Sequence, residues 1–327
     1  MNLAIIGAGK WGLNHVKTAF KILEDKYSGK YTLTVCDSDK KNEEIIKKIS
    51  PKIIFTTEIA DILNNSKINL AIVSTPAETH YEITKSLLLA GKNVLTEKPL
   101  TFVSKETEDL IVIAEKMNLK LMTGHVLLFH PAVQKMKDII DEGIIGKLLY
   151  IYSNRLNLGM IRKQENILYS FAPHDVSIIQ YLMNSFPDYV YGSGPDILQK
   201  GIEDSTITIL KYPNGVHCHI FVSWLHPFKE QRFVVIGEKG MLVFEDSLKA
   251  EKLKFYKKGF NLVDGELEKF ESNYQVVDFN ISQPLENEQM HFFDSVLNNT
   301  RPLTDGYHAL EVLQILEKAQ FSMKNIS

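Results

Sequence analysis

The opening stretch Leu3-Ala4-Ile5-Ile6-Gly7-Ala8-Gly9-Lys10-Trp11-Gly12 constrains this chain more than any other. An apolar run begins almost at Met1, its glycines fall as G-x-G-x-x-G, and a helix-forming segment, Leu13 to Leu23, follows at once. Strand, glycine turn and helix in that order form the phosphate-binding turn of a dinucleotide site. Gly7 permits the tight turn, Gly9 lets the backbone approach a pyrophosphate, and Gly12 lets the helix pack on the strand. The helix N-terminus, with Lys10 and Trp11, offers free N–H groups to phosphate. A glycine turn with nothing bound is the plainer alternative.

An acidic residue at the end of the next strand supports the nucleotide reading. Tyr31 to Cys36 reads as that strand, and Asp37 stands where a carboxylate accepts hydrogen bonds from an adenosine ribose. Such a carboxylate repels a 2′-phosphate, so NAD is favoured over NADP. Asp37 lies somewhat beyond the usual spacing of about 20 residues from the glycines, because Glu24 to Lys30 lengthens the connection. Lys40 and Lys41 soften the preference.

Strand and helix patterns alternate up to Gly124. Leu70-Ala71-Ile72-Val73 is a continuous apolar run, as expected of a strand covered on both faces. Thr79 to Ala90 reads as a helix stopped by Gly91, Asn93 to Thr96 as a strand, Ser104 to Met117 as a helix and Lys120 to Thr123 as the last strand. This is a doubly wound parallel sheet, an α/β domain over residues 1–124, with its ligands beyond the carboxyl ends of the strands. Three segments lie there: the glycine turn, Ser74-Thr75-Pro76, and Glu97-Lys98-Pro99.

Beyond Gly124 the pattern changes. A helix from Pro131 to Glu142 leads to an alternating strand, Lys147 to Asn157, and a helix around Val176 to Met183. Strand-like runs follow at Ser205 to Tyr212, Gly215 to Trp224, Arg232 to Ile236, Gly240 to Phe244 and Leu253 to Tyr256. Pro213-Asn214-Gly215 and Asp264-Gly265 are turn signals. Residues 125–327 therefore read as an α+β domain with a mainly antiparallel open sheet. The closing helices, Glu286 to Leu297 and Tyr307 to Met323, can pack back on the first domain.

A chain of 327 residues suits two such domains. The net charge of −3 points to neither nucleic acid nor an anionic membrane. No apolar run is long enough to cross a bilayer. Entry straight into a strand, with no basic region before it, argues against a leader. Two cysteines, Cys36 and Cys218, exclude a disulfide scaffold and fit a reducing cytoplasm. His217-Cys218-His219 is a poor metal site, since in a strand the cysteine points away from the two histidines. No metal is expected.

The ordered motifs GAGKWG, VSTPAETHYE, LTEKPL, GHVLLFHPAV and APHDVSII resemble the Gfo/Idh/MocA oxidoreductases. QPLENEQMHFFDSV and RPLTDGYHALEVLQ extend the resemblance nearly to the end of the chain. It implies a Rossmann domain, a C-terminal sheet domain, a nicotinamide cofactor and a sugar, polyol or sugar-derived substrate. It also implies a homo-oligomer, a dimer or tetramer, through the outer face of the C-terminal sheet.

The resemblance makes Lys98 the catalytic lysine. Hydride transfer from a carbinol needs a group to take the hydroxyl proton. Partial desolvation and a positive nicotinamide ring would lower the Lys98 pKa toward the working range. A cis Lys98–Pro99 bond is expected to direct it, and Glu97 is expected to contact the cofactor or orient the lysine. The family's second residue is His174, which the Pro before it places at a helix start, holding the reacting oxygen. Ser170 stands where the family often carries an aspartate, so proton transfer falls more to Lys98. Asp175 is expected to cap the helix or bind substrate.

Thr75, Pro76 and His80 match a stretch that borders the nicotinamide ribose, although His80 equally suits packing. His125 can line the cleft. Arg155, with Arg162 and Lys163, can grip a diphosphate or form a basic loop. The APHDVSII form resembles members acting on nucleotide-linked sugars, where oxidation at C3 of a UDP-N-acetylhexosamine such as UDP-N-acetylglucosamine prepares a ketone for an aminotransferase. A dehydrogenase of inositol or free sugars, a ketosugar reductase, and an NAD-binding regulator without turnover are the alternatives.

Overall fold

The computed structural model describes residues 1–27, 29–163 and 165–325. It divides into two compact units, Met1–Phe129 with Ser282–Leu313, and His130–Ile281 with Gln314–Ser327.

In the first unit, β1 (Asn2–Ile6), α1 (Lys10–Tyr27), β2 (Thr32–Cys36), α2 (Asn42–Ile49), β3 (Ile54–Thr56) and α3 (Ile59–Leu63) come first. They are followed by β4 (Leu70–Val73), α4 (His80–Leu89), β5 (Asn93–Glu97), α5 (Ser104–Lys116) and β6 (Leu121–Gly124). The strands pair in parallel in the order β3-β2-β1-β4-β5-β6, the Rossmann arrangement. Leu3 to Ile6 and Leu70 to Val73 are buried throughout, because helices cover both faces. Helix α1 seats Val16, Ala19, Ile22 and Leu23 on the core, a helical stripe. Gly91 follows α4 with φ +75°, the left-handed stop its position called for.

In the second unit, α6 (Pro131–Asp141) precedes β7 (Leu148–Leu158) and α7 (Ile167–Met183). Then come β8 (Tyr189–Ser193), β9 (Ser205–Lys211), β10 (His217–Ser223), β11 (Leu225–Gly237), β12 (Met241–Glu245), β13 (Leu253–Tyr256), β14 (Lys258–Val263), β15 (Glu266–Glu271) and β16 (Gln275–Val276). Eight strands form one sheet, ordered β16-β13-β12-β11-β7-β10-β9-β8. Its pairs are antiparallel except β7 with β10. Burial alternates along it: Thr206, Thr208 and Leu210 face inward on β9, whereas Ile207 and Ile209 are exposed. Helix α7 packs on β7, β9 and β10. The Asp264-Gly265 turn joins β14 to β15, with φ +49° and +88°. Strands β8, β14, β15 and β16 lie outside the strand-like runs named from the sequence.

Two helices close the chain, α8 (Pro284–Leu297) and α9 (Gly306–Lys324). Helix α8 packs on α1 in the first unit. Among the described residues no helix is long and apolar enough to cross a membrane.

Candidate functional site

The glycine turn gives each glycine a different reason to be there. Gly7 has φ +96°, and a Cβ on it would meet Ser74 O at 2.6 Å. A Cβ on Gly12 would lie 2.1 Å from Gly7 O and 2.8 Å from Ser74 Oγ, so the helix can approach the strand only without a side chain. A Cβ on Gly9 would meet nothing within 4 Å. That open flank lies at the start of α1, whose first N–H groups have no carbonyl partner within the helix. The arrangement fits a dinucleotide pyrophosphate.

Asp37 stands at the end of β2, beside this turn. Its Oδ2 accepts the Ala8 N–H at 2.6 Å and its Oδ1 the Asp39 N–H at 2.8 Å, which fixes the carboxylate's direction. After β4, the Ser74 N–H donates to Ile6 O at 2.8 Å, and Thr75 Oγ1 lies 2.7 Å from Thr79 Oγ1. His80 is buried, with Nδ1 2.7 Å from Pro99 O and Nε2 2.9 Å from Thr75 O. It therefore ties the loop after β4 to the loop after β5. The Lys98–Pro99 bond is cis.

Glu97, the last residue of β5, gathers donors from three places. Its Oε1 accepts Trp11 Nε1 at 2.6 Å and lies 2.7 Å from His15 Nε2, while its Oε2 accepts the Lys98 N–H at 3.2 Å. Burial opposes the charge, but His15, Trp11 and Lys98 outweigh it and hold the carboxyl below the usual range. Gly124 is the last residue of β6, and a Cβ there would press on this carboxylate at 3.1 Å. His125 next to it is buried, its ring 5.2 Å from that of His308. Burial first, then the neighbouring His308 and Lys98, pushes its pKa well below the usual value.

The second unit holds the other named residues. Helix α7 starts at Ile167, capped by Asn166, whose side chain accepts the Tyr169 N–H at 3.2 Å. The expected start near Val176 is corrected: Pro173 lies inside the helix, and His174 two turns from its beginning. Burial of Ile167, Leu168 and Ala172 sustains the helix ahead of the proline, although Pro173 supplies no N–H. Ser170 and His174 are four residues apart and share a face.

Asp175 neither caps the helix nor faces His174, since adjacent helical residues diverge. It is buried, accepts Arg155 Nε at 2.7 Å and Nη2 at 3.1 Å, and takes a further bond from Ser153 Oγ. Arg155 is thus buried and already held by a carboxylate, which separates it from the exposed Arg162, whose partner is Glu165 at 3.6 Å. On β10, Cys218 points into the core while His219 packs against Tyr152.

Sequence reasoning passed over His15, Glu288, Gln289 and His308. His15 comes three residues after Gly12 on the inward face of α1, which is the only local signal any of them carries.

Residues 1–125 match the model of an oxidoreductase family with an NAD-binding Rossmann fold, GFO_IDH_MocA, and residues 133–243 match the GFO/IDH/MocA C-terminal domain. An uncharacterized oxidoreductase of Bacillus subtilis, YrbE, is 27% identical over 74% of this chain and 73% of its own. The inositol 2-dehydrogenase of Salmonella typhimurium is 24% identical over the same shares. Other curated relatives are matched over 58% to 61% of their length. Among solved structures, the UDP-N-acetylglucosamine 3-dehydrogenase GnnA from Acidithiobacillus ferrooxidans superposes with a TM-score of 0.83. It covers 99% of this chain and 98% of its own at 19% identity, a likeness of fold.

Proposed function

Since the chain belongs to the GFO/IDH/MocA family of NAD-binding oxidoreductases, we propose that it oxidises a secondary hydroxyl of a sugar. The narrow form of this reading is C3 of a UDP-N-acetylhexosamine, UDP-N-acetylglucosamine first. One observation carries the catalytic assignment: Trp11 of the glycine turn and the Lys98 N–H share the Glu97 carboxylate. The lysine thereby follows a strand end joined to the dinucleotide turn, where the ligand sites of open parallel sheets lie.

Bound NAD supplies the hydride acceptor. The glycine turn holds its pyrophosphate and Asp37 its adenosine ribose. Lys98 takes the hydroxyl proton in oxidation and returns it in reduction. His174 holds the reacting oxygen, with Ser170 on the same helix face. Arg155 acts through Asp175 by fixing the α7 residue next to His174, in place of gripping phosphate. A second copy of the chain covers the outer face of the eight-stranded sheet, where Tyr189, Ile207 and Ile209 are exposed; light scattering of the purified protein reads this directly.

The 24% identity to an inositol 2-dehydrogenase favours a second reading, a free polyol as substrate. An NADH-formation assay with UDP-sugars and free polyols, run with a ketone trap, separates the two. Turnover of UDP-N-acetylglucosamine, lost in Lys98→Ala, supports the first reading. Saturation by a free polyol with no gain from a UDP group supports the second. NAD binding without turnover across the panel leaves a reductase of an untested ketosugar or a non-catalytic NAD binder.

A further inference from the structure

Helix α1 turns two ring nitrogens onto one carboxylate oxygen. Trp11 and His15 lie four residues apart on it and share a face. Trp11 Nε1 donates to Glu97 Oε1 at 2.6 Å, and His15 Nε2 lies 2.7 Å from the same oxygen. The other oxygen accepts the Lys98 N–H at 3.2 Å. Whether His15 gives or takes a proton here depends on which of its nitrogens carries one.

Helix α8 decides that question. His15 is 0% exposed, so both its ring nitrogens need partners within the protein. Gln289, itself buried, places its amide nitrogen 3.0 Å from His15 Nδ1 and 3.2 Å from His15 O. A carbonyl oxygen only accepts, so the NH₂ end of Gln289 is the end that faces His15. Nδ1 is then an acceptor, and the ring proton sits on Nε2, aimed at Glu97. With Trp11, His15 and the Lys98 N–H all donating, Glu97 is held as a carboxylate.

We propose that His15, oriented by Gln289, is a positioning residue for Lys98, acting through Glu97. This role rests on the reading of Lys98 given above. A lysine that takes a proton must first be free of its own, and a neighbouring carboxylate opposes this by favouring the ammonium. The donors on α1 draw the Glu97 charge toward the helix. Its second oxygen meanwhile holds the backbone at the strand end from which Lys98 extends.

Other charged groups stand on the segments around His15. On α1, Lys10, Lys17 and Lys21 are exposed, and Lys21 pairs with Glu286 of α8 at 2.8 Å. Helix α8 also carries Glu288, His291 and Asp294, and His291 Nε2 accepts the Leu303 N–H at 2.8 Å.

Nitrogen-15 NMR of the natural chain, labelled in its histidines and assigned through the backbone, reads the tautomer. A proton on Nε2 of His15 and none on Nδ1 is expected at neutral pH. A proton on Nδ1 overturns the proposal. In Gln289→Glu the group facing Nδ1 becomes an acceptor, so Nδ1 should gain a proton. A ring unchanged in that variant overturns the part given to Gln289.

The positioning role is read from the pH profile of oxidation, with the substrate that turns over in the assay above. His15→Leu removes the donor, so the Glu97 charge favours the Lys98 ammonium more. The pH at which the rate reaches its plateau should move up by about one unit. His15→Gln carries an amide N–H of similar reach and should keep the plateau near that of the natural chain. An unmoved profile in His15→Leu, or an equal shift in both variants, overturns the role. If His15→Leu does not fold, Glu97→Gln takes its place, and with the charge gone its plateau should move down. An unmoved plateau there overturns the role as well. Failure of the catalytic reading looks different: Lys98→Ala would keep its activity while the His15 proton stays on Nε2.

Discussion

The two sheets bury their residues in different ways, and the difference decides where function is written. The parallel sheet is covered on both faces, so β1 and β4 offer almost no side chain to anything but the core. What remains free is the carboxyl edge, where Gly7 to Gly12, Ser74 to Pro76 and Glu97 to Pro99 follow their strands directly. Chemistry there is carried by short contiguous motifs and by backbone groups. The eight-stranded sheet has helix α7 on one face and exposed residues such as Ile207 and Ile209 on the other. Its polar centre is made by side chains far apart in sequence: Ser153 and Arg155 of β7 and Asp175 of α7. One region works from an edge, the other from a face.

The largest expected effect tests the edge. Lys98→Ala should lower kcat/KM by about 10²–10⁴-fold, while NAD binding, followed by the fluorescence of the half-exposed Trp11, stays in place. Equal loss of binding would mean that the lysine holds the cofactor.

The face comes next. Asp175→Ala leaves the Arg155 guanidinium buried without its carboxylate and should cost about 3–5 kcal/mol in urea unfolding. Replacing both with apolar residues of similar size should recover most of that. If the single variant is as stable as the natural chain, the pair is not what organises α7.

Smaller effects should separate the glycines. Gly12→Ala forces a Cβ against Gly7 O and should cost about 1–3 kcal/mol. Gly9→Ala meets nothing in the protein, so the Tm should hold while NAD affinity drops. Loss of stability in both would show that the flank of Gly9 is not open.

The smallest effect is in acid. Burial lowers the His308 pKa to about 4 and pushes that of His125 well below its usual value. The unfolded chain takes up these protons below about pH 6.5, while folded His308 waits until about pH 4. Stability should therefore fall as pH drops through that window. His308→Gln should flatten the Tm profile there and leave it unchanged above pH 7.

Much of the first unit was legible because its determinants are local. A glycine turn, an apolar run or an E-K-P tripeptide states its own geometry, and Asp37 was placed by one strand's end. The helix carrying His174 was misplaced because proline is a strong local stop, yet burial of Ile167, Leu168 and Ala172 outweighs the one missing hydrogen bond. Arg155 read as a phosphate grip because a guanidinium advertises charge and not its partner. The hairpin of β14 and β15 was legible only at its turn.

By itself, the sequence determined the order of elements, the parallel sheet, the dinucleotide turn and the lysine at a strand's end, since periodicity and glycine placement act over a few residues. Tertiary structure alone decided which buried polar groups meet. Glu97 with His15 is a pairing of residues 82 apart, and Gln289 with His15 one of residues 274 apart. Pairings at such separations follow from how helices and strands pack in space, and the charge each group carries follows from the pairing.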